Sequence, residues 1–136
     1  MGHQEISVKS SPVPSGAYSQ GIVAGGLLFV AGVGPYDPVT RAIVGSTVEE
    51  QTVQTIENIR AILIGAGLAL QDVVNSTVYL SDMSRDWFAF DKTYRQFFSP
   101  PFPARTAVGA TLKGILVEIA VMAALRPTKQ AGGHND

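Results

Sequence analysis

The segment Leu116–Leu125 constrains the fold more than any other stretch of this 136-residue chain. Read with the two-residue repeat of a strand, it places Leu116, Glu118, Ala120, Met122 and Ala124 on one face. Val117, Ile119, Val121, Ala123 and Leu125 fall on the other. Apart from Glu118 the strand is built for burial. An ionised carboxylate in such a place is costly unless it is paired, so Glu118 calls for a cation, a set of donors or a proton of its own. The plainer alternative is a barrel-mouth or edge position wetted by solvent.

What could cover this strand is written upstream. Thr47-Val48-Glu49-Glu50 has the spacing of a capping box, and Val53, Ile56, Ile59, Leu63 and Ala66 then recur at three and four residues. Gly65 and Gly67 supply the stop of this first helix. A second helix is expected at about Arg85–Phe98, opened by Ser81–Ser84 and ended by Pro100-Pro101, with Trp87, Phe90, Tyr94 and Phe97 as its core face. Short apolar runs at Ala17–Val23 and Leu27–Val33, separated by Gly25-Gly26, read as a β-hairpin. Val73–Leu80 and Arg105–Leu112 read as further strands, with a turn at Lys113-Gly114 before the last one. The order ββ-α-β-α-ββ describes one α+β domain over residues 1–136: a mixed sheet of about six strands with two helices on one face. Residues 1–13 are expected to be a flexible lead-in and 128–136 a flexible polar tail. The sheet face away from the helices stays largely apolar, and further copies of the chain would cover it most cheaply.

Composition supports that reading and removes several function classes. With 46% hydrophobic and 15% charged residues, the charged surface is thin for a monomer. A net charge of −1 with scattered Lys and Arg speaks against a nucleic-acid partner. The chain has no cysteine, so disulfides, thiolate metal sites and a cysteine nucleophile are excluded. His3 and His134 form no metal-binding spacing with each other. The runs Ile22–Gly34 and Ile115–Leu125 fall short of the roughly 20 apolar residues of a membrane span. Met1–Ser11 lacks the apolar region of a signal peptide, and the chain reads as a soluble cytoplasmic protein with no membrane partner.

Two more residues join Glu118 as candidates. Arg105, after Pro103-Ala104, sits among small and apolar neighbours and offers a planar fork to a carboxylate, whether of Glu118 or of a ligand. A purely structural Arg–Glu pair is an equal alternative, and spacing alone leaves open whether the two meet across the closing hairpin. Tyr18 lies at the start of the first hairpin, where a Tyr is more often half-buried packing than a catalytic group. Gly32-Val33-Gly34 lacks the third glycine and the following helix of a dinucleotide loop.

At these residues the sequence resembles the RidA (YjgF) family, whose members also carry endoribonuclease labels. The resemblance runs from about Pro14 to Pro127 and rests on Gly16-Ala17-Tyr18-Ser19-Gln20, Phe29-Val30-Ala31-Gly32, Glu50-Gln51-Thr52 with Glu57-Asn58-Ile59, and Pro103-Ala104-Arg105-Thr106 with Val117-Glu118-Ile119. It implies a two-layer, chorismate-mutase-like fold assembled as a homotrimer with ligand clefts between subunits. It implies hydrolysis of reactive 2-imino and enamine acids to 2-keto acids and ammonia, without cofactor. Arg105 would hold the substrate carboxylate, Glu118 would orient a water and shuttle its proton, and Tyr18 would line the cleft as the third member of the catalytic set. Backbone groups at Gly32 and Ala107 would hold the water or the imine nitrogen.

Some positions depart from the family pattern. Ala107 stands where many members have Cys, and Asp91, expected among the substrate-binding residues, stands where Asn is common and adds a negative charge near the cleft. Gly34, Tyr36 and the short Ser99–Phe102 connection reshape the loops around it. These departures keep open a pathway-specific deaminase for an aminoacrylate- or aminomuconate-like compound. A non-catalytic, trimeric metabolite-binding or chaperone-like protein is the other alternative.

Overall fold

The computed structural model describes residues 2–127; the polar tail expected at 128–136 lies outside them. The elements are β1 (Gln4–Ile6), β2 (Gly21–Ala24), β3 (Leu27–Val33), α1 (Val48–Gly65), a single 3-10 turn (Leu70–Asp72), β4 (Val73–Leu80), α2 (Met83–Arg95), β5 (Ala104–Gly109) and β6 (Val117–Ala124). The strands form one mixed sheet in the order β1-β2-β3-β6-β4-β5, with both helices on one face. All pairings are antiparallel except β4 with β5.

The capping box forms as expected. Glu50 N–H donates to Thr47 Oγ1 at 3.2 Å, and the Thr47 N–H donates back to Glu50 Oε1 at 3.3 Å. Thr47→Ala removes one half of this exchange and is expected to lower stability by about 1 kcal/mol, read as a shift of the urea midpoint at unchanged slope. The buried face of α1 differs from the expected stripe. Val53 points outward, while Thr52, Thr55, Ile56, Ile59, Ile62 and Leu63 are buried. Inward-facing amides rotate the helix to this face: Asn58 Nδ2 donates to the carbonyls of Gly34 and Tyr36, and Gln51 bridges Gly45 O and Leu116 N. Polar anchoring of the loops thus decides which side of the helix faces the sheet.

Three further boundaries shift for local reasons. The lead-in is not wholly irregular, because Gln4–Ile6 pairs with Gly21–Val23 as an edge strand and Ile6 is buried. Residues 17–20 do not extend β2. Tyr18 N–H turns back to Gly16 O, and the buried Gln20 amide ties to the backbone of Val8, Ser11 and Pro12. Helix α2 starts earlier, where the Asp82 side chain accepts from Arg85 N–H, and closes at Arg95 as its last bonds tighten to an i→i+3 pattern. Gly25 and Gly26, at φ +60° and +79°, make the expected tight hairpin.

The largest correction concerns the end of the chain. Residues 104–124 do not make a hairpin: β6 inserts between β3 and β4, while β5 lies parallel to β4 at the sheet edge. Val117, Ile119, Val121 and Ala123 are buried against the helices, as the alternation requires. Glu118, Ala120, Met122 and Ala124 are half-buried on the open face, where Phe29 and Val108 also stand exposed.

Candidate active site

Register decides which candidate residues can meet. Arg105 is opposite Ser76 on β4, and Glu118 is opposite Tyr79 on the other side of the same strand. Residues opposite one another share a face, and Ser76 and Tyr79 are an odd number of positions apart. Arg105 therefore projects to the helix side and Glu118 to the open side. Two strand spacings and three residues of offset put their backbones roughly 14 Å apart. Within one chain the two do not pair, and the Arg105–Glu118 pair left open by the sequence is not formed.

Arg105 is held instead by α2. Its Nη1 donates to Asp91 Oδ1 at 2.8 Å, and its guanidinium carbon lies 4.7 Å from the Tyr94 ring centre, 5.0 Å from that of Trp87 and 5.9 Å from that of Phe90. Tyr94 is fixed in turn by a 2.8 Å hydrogen bond between its hydroxyl and the buried Ser76 hydroxyl. Burial works against ionisation of Asp91, but the hydrogen bond and charge of Arg105, backed by Arg95, hold its carboxyl below the usual range. Arg105 borders two hollows. One of about 260 Å³ is lined by Asp91, Tyr94, Arg95, Phe102, Pro103 and Arg105. The other, an open trough of about 520 Å³, is lined by Met83, Ser84, Trp87, Phe88, Arg105 and Ala107. Asp91 borders only the first; Ala107 borders only the second.

Tyr18, Gly32 and Glu118 form a separate group. They line a cleft of about 170 Å³ together with Gln20, Gly34 and Tyr36. The bulge in β3 between Val30 and Val33 brings Gly32 over Glu118, and a side chain on Gly32 would run into the Glu118 carboxylate. The Tyr18 hydroxyl accepts from Ser15 N–H at 3.2 Å, and the ring is half exposed. Gly32→Ala is expected to push the Glu118 carboxylate aside, because the obstructing atom is the end of a flexible chain. The thermal midpoint should move little, since the displaced carboxylate is the far end of a flexible side chain, and a differential-scanning melt of the variant checks this.

The structure thus sorts the sequence candidates into two groups: Arg105, Ala107 and Asp91 on the helix side, and Tyr18, Gly32 and Glu118 on the other. Trp87, Phe88 and Met83 also border the Arg105 trough, and the sequence reading did not single them out. Trp87 was assigned to the core, and Phe88, 87% exposed, breaks the helix pattern in the one way that could have flagged it. No cluster of three or more acidic or histidine side chains able to hold a metal ion occurs among the described residues. Nor is any helix there long and apolar enough to cross a membrane.

The fold is an α+β domain whose candidate residues lie on sheet strands, on the loop before β2 and on the covering helix α2. Residues 8–125 match the sequence model of the family described as Endoribonuclease L-PSP. A RutC family protein of Saccharolobus solfataricus is 44% identical over 120 residues, covering 87% of this chain and 94% of the relative. The 2-iminobutanoate/2-iminopropanoate deaminase of Salmonella typhimurium is 35% identical over 126 residues, covering 89% and 97%. Among solved structures, E. coli TdcF with bound serine superposes with a TM-score of 0.83 at 30% identity, covering 90% of this chain and 99% of that one. RidA from an Antarctic Psychrobacter gives a TM-score of 0.84 at 35% identity, with 90% and 99% coverage. The chain belongs to the RidA/YjgF/RutC family.

Proposed function

We propose that the protein hydrolyses reactive 2-imino and enamine acids to 2-keto acids and ammonia, in clefts each completed by two copies of the chain. The observation that carries this reading is that Arg105 and Glu118, the latter without a hydrogen-bond partner among the described residues, project from opposite faces of one sheet. One substrate could touch both only if they came from different copies. The open face, with exposed Phe29 and Val108 beside Met122 and Ala120, offers the apolar surface for such an assembly. A homotrimer fits this face and the family; sedimentation of a monomer at micromolar concentration would count against it.

Arg105 would grip the substrate carboxylate and fix C2 for attack. Glu118 of the neighbouring copy would take a proton from water as its oxygen bonds to C2 and pass that proton to the imine nitrogen. As the adduct collapses, its hydroxyl proton would move by way of Glu118 to the amine, the C2–N bond breaks, and ammonia and the 2-keto acid are released. An enamine must first tautomerise to the imine. The balance needs water and no other reactant. The serine bound in TdcF and the activity named for the Salmonella relative support a small carboxylate-bearing ligand.

The trough formed by Met83, Trp87 and Phe88 favours a second reading on substrate choice: a pathway-specific deaminase for a larger or less polar imine. One assay addresses both. An amino-acid oxidase or a dehydratase generates the imine, semicarbazide traps what remains, and the protein is added. Arg105-dependent loss of semicarbazone across a series of amino acids supports the hydrolase and maps the pocket. No loss with any of them would favour a non-catalytic, metabolite-binding role.

A further inference from the structure

Helix α2 carries two charged residues around Arg105 that the proposed chemistry does not use. Asp91 bonds Arg105 Nη1 through Oδ1 at 2.8 Å and Arg95 Nη2 through Oδ2 at 3.2 Å. The side chains of Asp91 and Arg105 are 25% and 22% exposed, whereas Arg95 is 63% exposed. Arg95 also lies over the Phe102 ring, 5.7 Å from its centre. Two arginines thus share one carboxylate, leaving a net charge of +1 in the cluster. Arg105 commits one of its five N–H donors to Asp91, and its Nε and Nη2 make no hydrogen bond among the described residues. Asp91 lines the hollow that Arg105 shares with Arg95 and Phe102, whereas Ala107 lines the separate trough that Arg105 also borders.

We propose that Asp91 is the positioning residue of Arg105: it tethers Nη1 from the α2 side and holds the guanidinium plane against the Tyr94 and Trp87 rings, with the remaining donors available to a ligand carboxylate in the Ala107 trough. Arg95 completes the device. By sharing Asp91 it keeps the cluster cationic, so the tether does not cancel the charge that attracts an anion. This inference rests on the reading of Arg105 as the carboxylate-binding residue. It differs from the simpler view of Asp91 as an internal competitor for Arg105, and the two give opposite signs. A tether strengthens ligand binding; a competitor weakens it.

The test uses the full chain, with 2-oxobutanoate as the probe, in wild type, Asp91→Ala, Asp91→Asn and Arg105→Ala. Asp91→Ala is expected to raise the Kd by about tenfold, the size of one charge-assisted hydrogen bond lost. Asp91→Asn keeps an acceptor oxygen at the same place and is expected to bind within about threefold of wild type. Without ligand, the Arg105 Nε–Hε resonance should be sharp and slow to exchange in wild type and Asp91→Asn, and broadened in Asp91→Ala. A merely structural role for Asp91 would not move this signal. Asp91→Ser, too short to reach Arg105, replaces Asp91→Ala if that variant does not fold. Equal or tighter binding by Asp91→Ala, or an Arg105 signal unchanged by it, overturns the tether. Absence of saturable binding to wild type, or binding that survives Arg105→Ala, overturns the reading of the site and the tether with it.

Discussion

Replacing Arg105 by alanine is expected to lower kcat/KM for 2-imino acids by about a hundred- to a thousandfold, or roughly 3–4 kcal/mol of transition-state stabilisation. The size follows from what is removed. A guanidinium seated on the Tyr94 and Trp87 rings is a fixed, partly desolvated donor pair, and such groups contribute orientation as well as charge. Much of the loss should lie in KM, because the carboxylate is held in ground state and transition state alike. The fold should survive, since Asp91 retains Arg95 as a partner and Ala107 shows that β5 tolerates a small side chain on the same face. Steady-state kinetics over a range of imine concentrations separates the two terms. A variant with wild-type kcat/KM would remove the central residue from the mechanism.

Replacing Glu118 by glutamine should act on the other term. The change preserves size and polarity but abolishes proton acceptance, so kcat should fall by about a hundredfold or more with KM little changed. Stability should stay within about 0.5 kcal/mol of wild type, because Glu118 is only partly buried, makes no hydrogen bond among the described residues, and glutamine keeps its size. A large loss of stability instead would mean that Glu118 holds the assembly together rather than the water.

These expectations depend on features the sequence revealed unevenly. The alternation through Val117–Ala124 and the capping box at Thr47 were legible because each depends on neighbours a few residues away. Strand β1 was missed because three residues carry too little pattern. The facing of α1 escaped because buried Gln51 and Asn58 reach loop carbonyls, which a count of apolar residues does not see. Strand order was the decisive loss. Nothing local tells β6 to pass β5 and insert beside β3, yet that insertion separates Arg105 from Glu118. The individual candidates were named through the family resemblance; their division between opposite faces of the sheet was visible only in the register. Asp91 illustrates the same limit, since its tie to Arg105 joins a helix to a strand 14 residues on.

The most direct test of a cleft shared between copies is to unfold Arg105→Ala and Glu118→Gln together, refold the mixture and measure imine hydrolysis. Each variant alone lacks one half of every site. If sites form between adjacent copies, random mixing leaves about a quarter of them with both halves intact, and about a quarter of wild-type activity should return. Activity no higher than that of the separate variants, in mixed assemblies shown to form, would mean that one copy supplies the whole site and would contradict the account.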